Sequence, residues 1–524
     1  MVQSEQSIQN NNDVVDFEMT KLLLPRGYRH AESLHFRLQR EPESKWVQRG
    51  QTRSLHLFHA MAARVPAYRD FLKANNFSPS EVRDIKDFSK IPSVDKDNYL
   101  RKYPKNMLCW DGEFSRGQWV ISTTSGSTGE PYYFPREHSQ DWQYAISAEL
   151  YLRNNFHVQK QSTLYIVAFP MGAWIGGLFT YGALKIAAEN GDYDLSIITP
   201  GIHKQEVINA VKQLGKDFDQ IIIGAYAPFL KDILDDGTKQ GIKWADYNLG
   251  FVFSAEAFTE KFRDYVAKVA QPADPLRFSL NHYGTVDLGT MAHETPETIM
   301  VRRHLIETDQ LNLLLPEPKR QPTLAQYNPE LFYFEEQDHN LFCTAYSGIP
   351  LVRYDLKDFG GVLSRSEVHE KLATTGYDFE KSAKTAKIDD SLWNLPYVYV
   401  YERNDFSVSY YAFTIYPDFV RRPLQHDNLS EVSTGKFVMH VDYDAEGRQR
   451  LNINVELKAD VAPNDKLIAD IQHLIHAGLY NESSEYRETF NMVGEVVKPV
   501  IYLHQYEDPE YFRPGTKQKW VIKD

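Results

Sequence analysis

A chain of 524 residues with 42% hydrophobic and 13% aromatic side chains can bury a large core and is expected to fold as two or three domains. Its formal net charge of -13 argues against nucleic acid or an anionic membrane surface as the main partner and leaves small anionic molecules open. Two cysteines, Cys109 and Cys343, are too few for a disulfide framework or a Cys-rich zinc site, the start "MVQSEQSIQNNNDVVDF" lacks an apolar signal region, and no apolar run approaches the roughly 20 residues that span a bilayer; a soluble cytoplasmic protein is expected.

Residues 1–16 read as a disordered tail, and the stretch up to about residue 110 reads as helices with short breaks, one of them at Pro66. From Trp119 onward, short apolar runs alternate with helical patterns: "TLYIVAF" and "GLFTYGALKIAAE", "LSIIT" and "KQEVINAVKQLG", "QIIIGA" and "PFLKDILDDG". This alternation predicts an α/β region with a mainly parallel sheet. After about Asn404 the rhythm changes, and "GKFVMHVDYDAEGRQRLNINVELKAD" predicts an antiparallel hairpin followed by an amphipathic helix in "DKLIADIQHLIHAGL". The expected organisation is a large α/β domain over 17–402 and a small, mobile α+β domain over 403–524.

Just after the strand-like "QWVIS" stands "TTSGSTGEP". Gly126 and Gly129 allow backbone N–H groups to approach an anion, and the hydroxyls of Thr124, Ser125, Ser127 and Thr128 add donors, so the segment reads as a phosphate loop. It is not a Walker A loop, whose second glycine and lysine are missing; a Ser/Thr/Gly surface turn is the plain alternative.

Further segments decide between these. In order along the chain, "TTSGSTGEP", "FVFSAEAFTEKFRDY", "NHYGTVDLG", "PLVRYDLKDFGG", "YERNDFSVSYYAFTIYPDFV" and "GTKQKWVIKD" resemble six motifs of the phenylacetate-CoA ligase-like branch of the adenylate-forming enzymes. The resemblance covers about residues 45 to 524 and implies the two-domain α/β plus α+β fold of that superfamily. It also implies roles for particular residues. The loop from Thr124 to Gly129 would hold the β- and γ-phosphates of ATP, Ser254, Ala255 and Glu256 would line the nucleotide pocket, and Tyr283 with Gly284 would lie against the adenine. Asp358 would accept the ribose hydroxyls and Arg403 would reach the ribose or phosphate. Asp405 would mark the hinge between the domains. Lys517, with Lys519 as its rival, would bring a cation to the reacting carboxylate and α-phosphate, and Trp174 and Tyr226 would line the acid pocket.

The sequence departs from the family pattern at several positions. Asp287 stands where the resemblance implies a magnesium-binding glutamate, and it is retained here as the expected Mg²⁺ ligand. Val286 replaces the hydroxyl residue before it, Asp355 and Leu356 replace an Arg-Thr pair, Glu402 replaces the hinge glycine and Thr516 the glycine before the lysine. The implied activity is ATP- and Mg²⁺-dependent activation of an aryl or arylacetic acid to an acyl-adenylate, then transfer to coenzyme A. A phosphopantetheinyl carrier protein, another protein or an amine is the alternative acceptor, and a nucleotide-binding pseudoenzyme is the alternative outside catalysis. The sequence carries no evident assembly motif, and a homodimer stays open.

His293 and Glu294 begin like H-E-x-x-H, but Glu297 occupies the second histidine position, so a zincin site fails. His282, His293 and His304 are expected to be hydrogen-bonded structural residues rather than a metal cluster.

Overall fold

Runs of β-branched residues separated by amphipathic stretches build the centre of the molecule. A computed structural model describes residues 24–25, 27–123, 132–173, 175–255, 257–317, 320–403, 408–410, 413–444, 449–514 and 520–522. Its strands are β1 Val120–Thr123, β2 Tyr133–Arg136, β3 Thr163–Ala168, β4 Leu195–Ile198, β5 Gln220–Ala225, β6 Leu249–Phe253, β7 Ser279–Thr285, β8 Gly289–His293 and β9 Thr323–Tyr327. They continue as β10 Tyr333–Gln337, β11 Asn340–Ala345, β12 Leu351–Leu363, β13 Tyr397–Arg403, β14 Val408–Tyr410, β15 Phe413–Ile415, β16 Ser433–Tyr443, β17 Gln449–Leu457 and β18 Val500–His504.

Eleven of these form one sheet in the order β10-β11-β12-β13-β9-β8-β7-β6-β5-β3-β4. From β7 to β4 neighbouring strands are parallel, and from β7 to β10 they are antiparallel. Helices Ile175–Gly191, Lys204–Leu214 and Ala227–Lys239 follow β3, β4 and β5, as the alternation in the sequence predicts. Period-two alternation explains the burial on both faces. Leu164, Ile166 and Ala168 of β3 pack with Val207, Leu230 and Val266 on one face, while Tyr165 and Val167 pack with Tyr151, Phe179 and Leu184 on the other. The chain passes from β3 to β4 on one side and then to β5 on the other, a switch point of the kind where open α/β sheets bind ligands beyond the carboxyl ends of their strands.

The N-terminal helices Ala31–Arg40, Glu43–Arg64 and Pro66–Ala74 pack on the antiparallel half of the sheet. Pro66 opens the third of them, at a position where its missing N–H costs nothing. Gly50 lies so close to the neighbouring chain that an added Cβ would meet the Pro329 carbonyl oxygen at 2.4 Å. No helix among the described residues is long and apolar enough to cross a membrane.

A second sheet, β16-β17-β18, follows the expected hairpin, with β16 and β17 antiparallel and β18 parallel to β17. Leu467, Ile471, Ile475 and Leu479 of helix Asp465–Glu482 are buried in its own apolar cluster. This part meets the large sheet through charge. Lys436 Nζ lies 2.6 Å from Asp232 and 3.1 Å from Glu456, Lys458 lies 3.1 Å from Asp235, and Lys239 lies 3.3 Å from Asp460. Asp232 and Asp235 share one face of helix Ala227–Lys239 with Lys239 at its end. A buried pair of this kind adds little net stability, but breaking it by removing one partner is costly, so it favours this arrangement over others.

Candidate functional site

Three of the residues that the sequence singles out, Ser254, Ala255 and Tyr226, stand at the carboxyl ends of parallel strands. Ser254 and Ala255 follow β6 directly, and Ala255 has φ +76°, a left-handed conformation that a residue with a Cβ rarely adopts. Such strain persists only where the surroundings enforce it, and it concentrates at functional sites. Tyr226 follows β5 and opens helix Ala227–Lys239, with its ring 5.7 Å from that of Phe169, which follows β3. Thr123 at the end of β1 donates its N–H to the carbonyl of Ala173 at 2.9 Å, so the end of β1 meets the residues after β3. Thr124, Ser125, Gly126, Ser127, Thr128, Gly129, Trp174, Glu256, Asp405, Lys517 and Lys519 lie outside the described residues.

Three motifs distant in sequence converge beside β7. Tyr283, buried near the end of β7, donates its hydroxyl to Oδ2 of Asp358 in β12 at 2.7 Å, and its ring stacks on Phe334 at 6.0 Å. Asp358 is also the register partner of Arg403 in β13. An aromatic face, a buried carboxylate and the backbone of an arginine strand are thus brought to one point. Phe334 is a neighbour that the motifs do not reveal. Gly284 has a structural reason of its own, because an added Cβ would meet the Gly289 carbonyl oxygen at 2.6 Å across the β7–β8 hairpin.

Asp287 lies just past this point, on the turn between β7 and β8. Its Oδ2 accepts the Tyr354 hydroxyl at 2.6 Å, and its Oδ1 faces the Lys96 ammonium at 3.4 Å. A magnesium ion needs oxygen ligands at about 2.0–2.1 Å in an octahedral shell. Here one oxygen accepts a hydroxyl and the other faces the Lys96 ammonium without accepting a hydrogen bond, so a protein cation already stands on the side from which the expected metal would approach. Among the described residues no group of three or more His, Cys, Asp and Glu side chains could hold a metal.

The histidines are likewise built into the core. His282 and His293 face each other with ring centroids 6.2 Å apart, beside Tyr151 and Trp393. Burial lowers the pKa of both, that of His293 to about 4, and so keeps them neutral. His304 is elsewhere, stacked on Tyr377 at 3.8 Å. Glu294 belongs to a buried network with Glu260, Arg263 and Arg302 under the same strands: Arg263 reaches Glu294 at 2.6 Å and the Ser279 hydroxyl at 2.6 Å, and Glu294 accepts the Asn281 N–H at 2.9 Å. Sequence reading missed this network, although Glu260 and Arg263 on one helix, Arg302 on the next and Glu294 just ahead of it were a visible signal.

No protein-family model and no curated protein sequence matches the chain. Among solved structures, 2-hydroxyisobutyryl-CoA ligase in the postadenylation state, in complex with R3-HIB-AMP, superposes with a TM-score of 0.63 at 14% identity, over 97% of this chain and 95% of that one. This chain has the fold of that ligase. The expectation of a large α/β part followed by a smaller α+β part is met at the level of the fold. The same ligase in complex with 2-HIB-AMP gives a TM-score of 0.57 at 14% identity over 96% and 91% of the two chains. With 2-HIB-AMP and CoA in the thioesterification state it gives 0.51 at 14% identity over 97% and 95%.

Proposed function

We propose that this protein uses ATP to activate a small carboxylic acid as an acyl-adenylate and then passes the acyl group to the sulfur of coenzyme A, the acyl–oxygen bond to the phosphate breaking and AMP leaving. The carrying observation is the Tyr283–Asp358 hydrogen bond opposite Arg403, at the carboxyl end of the parallel strands and in the fold of a ligase described with acyl-AMP and CoA. A carboxylate oxygen of the acid attacks the α-phosphorus, the bond to the β-phosphate oxygen breaks, and pyrophosphate leaves. Positioning and charge do most of the work in such a displacement. Tyr283 offers its ring to the base, and Asp358, held by the Tyr283 hydroxyl, accepts ribose hydroxyls. The loop from Thr124 to Gly129 takes the leaving pyrophosphate. We assign Trp174 and Tyr226 to the acid, and the Tyr226 and Phe169 rings, 5.7 Å apart, favour an aryl or arylacetic group there. Asp405 is the hinge about which the last part of the chain turns for the thiol step. ATP enters as its magnesium complex, so that ion comes with the substrate. We assign the protein to the cytoplasm.

The test is carboxylate-dependent release of pyrophosphate from ATP across aryl and aliphatic acids, with and without coenzyme A. Release with particular acids and steady turnover only with coenzyme A is expected. Turnover with a carrier protein or an amine instead would move the acceptor, and binding of ATP with silence across the panel would point to a regulatory nucleotide-binding protein. Asp358→Ala is expected to weaken ATP binding about 10-fold or more, the usual worth of hydrogen bonds to a buried charge. An unchanged calorimetric affinity would remove the ribose assignment.

A further inference from the structure

The departures at Asp287 and Asp355 belong to one structure, which also includes a residue that no motif marks. The segment ahead of the single turn Lys96–Leu100 is fastened to β12. Val94 forms a parallel bridge with Tyr354, its N–H donating to the Arg353 carbonyl at 3.2 Å and its carbonyl accepting the Asp355 N–H at 2.9 Å. The Arg353 guanidinium donates to the carbonyls of Ser89 at 2.7 Å and Ile91 at 2.6 Å. Lys357 joins Asp355 at 2.7 Å to Asp95 at 2.9 Å. Asp95 in turn caps the turn, accepting the N–H groups of Asp97 at 2.8 Å and Asn98 at 2.6 Å.

This fastening delivers Lys96 to Asp287. The strand position that pairs with Val94 is Tyr354, and the same Tyr354 holds the far oxygen of Asp287, so both partners of the carboxylate are set by one bridge. The Lys96 ammonium also lies 6.0 Å from the ring of Phe134 in β2. It therefore stands between the turn after Tyr283 and the β1–β2 hairpin. Asp287 is 5% exposed, whereas Lys96 is 29% exposed, so the carboxylate anchors from within and the ammonium keeps a side open. The contact with Asp287 is an ion pair at 3.4 Å without a hydrogen bond, so it leaves the ammonium's donors for an anion. Holding a long side chain in place beforehand also removes part of the ordering cost that a free lysine meets when it binds an anion.

We propose that Lys96, anchored by Asp287, is the protein's own cation for the phosphates of the nucleotide, and that Asp287 holds this lysine instead of a metal ion. The proposal rests on the nucleotide-binding reading above. It gives Asp287 and Asp355 a common cause: the first anchors the ammonium and the second, through Lys357, fixes the turn that carries it.

Calorimetric titration of the full chain with ATP in EDTA, ATP with Mg²⁺, and adenosine tests it. Lys96→Met is expected to weaken metal-free ATP binding at least about 10-fold, as loss of a charge-assisted contact does, with adenosine affinity changed less than about twofold. Lys96→Arg is expected to stay within about threefold for ATP. Asp287→Asn is expected to keep whatever change in ATP affinity Mg²⁺ causes in the wild type. Metal-free ATP affinity unaltered in Lys96→Met, or the magnesium effect abolished in Asp287→Asn, overturns the proposal. Should Lys96→Met not fold, the magnesium effect in Asp287→Asn decides alone. A wild-type protein that binds neither adenosine nor ATP sinks the nucleotide reading itself, whereas adenosine binding with lysine-insensitive ATP binding sinks only the role of Lys96.

Discussion

Glu260→Ala is expected to lower the free energy of unfolding by about 3–5 kcal/mol, the cost of leaving buried charges without their partner. Arg263 and Arg302 are 0% and 1% exposed, and both pair with Glu260, Arg263 at 3.0 Å. Arg303 reaches it from the edge at 3.0 Å, so only Glu294 would remain to balance the two innermost guanidinium groups. Burial alone would raise the pKa of Glu260, but the three arginines outweigh it and hold the pKa at about 2, against 4.5 for an unperturbed glutamate. Its pKa is lower in the folded state, so its contribution is present in full above the unfolded value and is lost as pH falls from about 4.5 towards 2. Urea unfolding at pH 7, 5 and 3 would read both effects: the wild type should lose part of its advantage over Glu260→Ala at pH 3. A deficit below about 1 kcal/mol at pH 7 would mean that the network contributes far less than its burial implies. Through Ser279 and Asn281 the network also grips β7, the strand that carries Tyr283, so the variant should bind ATP more weakly even where it is folded.

The parallel half of the fold was legible because its signals are local. Ile221, Ile222 and Ile223 make a buried strand wherever they stand, and the helix after them follows from spacing alone. Tyr283 and Asp358 were legible through motifs, and their contact spans 75 residues that periodicity could not bridge. The antiparallel half was harder to read. β12 runs for thirteen residues with Arg353 and Lys357 in left-handed conformations, and neither residue type announces a positive φ. Asp287 was legible as a motif position but its partner was not. Its surroundings depend on Lys96, which the Val94–Tyr354 bridge brings from 191 positions earlier in the chain. The neighbouring ammonium, unlike the carboxylate, left no signal in the motif. Likewise Ala255 carries strain that only the backbone reveals, since alanine is the residue least suggestive of a special conformation.

Lys517→Ala is expected to slow adenylation about 100-fold or more while ATP affinity stays within a fewfold, the pattern of a contact made mainly in the transition state. The residues on either side of 515–519 are firmly held. Phe512 is buried, Trp520 is buried against Phe437, and the Trp520 carbonyl accepts the Met439 N–H at 2.8 Å while the Ile522 N–H donates to the Met439 carbonyl at 3.0 Å. Arg421 lies over the Trp520 ring at 4.4 Å. Trp520 and Ile522 are thus tied to β16. The measurement is the rate of acid-dependent pyrophosphate release set beside the ATP dissociation constant. An equal loss in Lys519→Ala alone would transfer the role to that residue. The comparison with Lys96 is the sharper one, because a cation that meets the phosphates on binding costs affinity when removed, while a cation that meets the charge developing at the α-phosphate costs rate. Lys96→Met and Lys517→Ala should therefore fail in opposite ways, the first mainly in binding and the second mainly in turnover. Two variants that fail alike would mean that one of the two lysines has been given the wrong task.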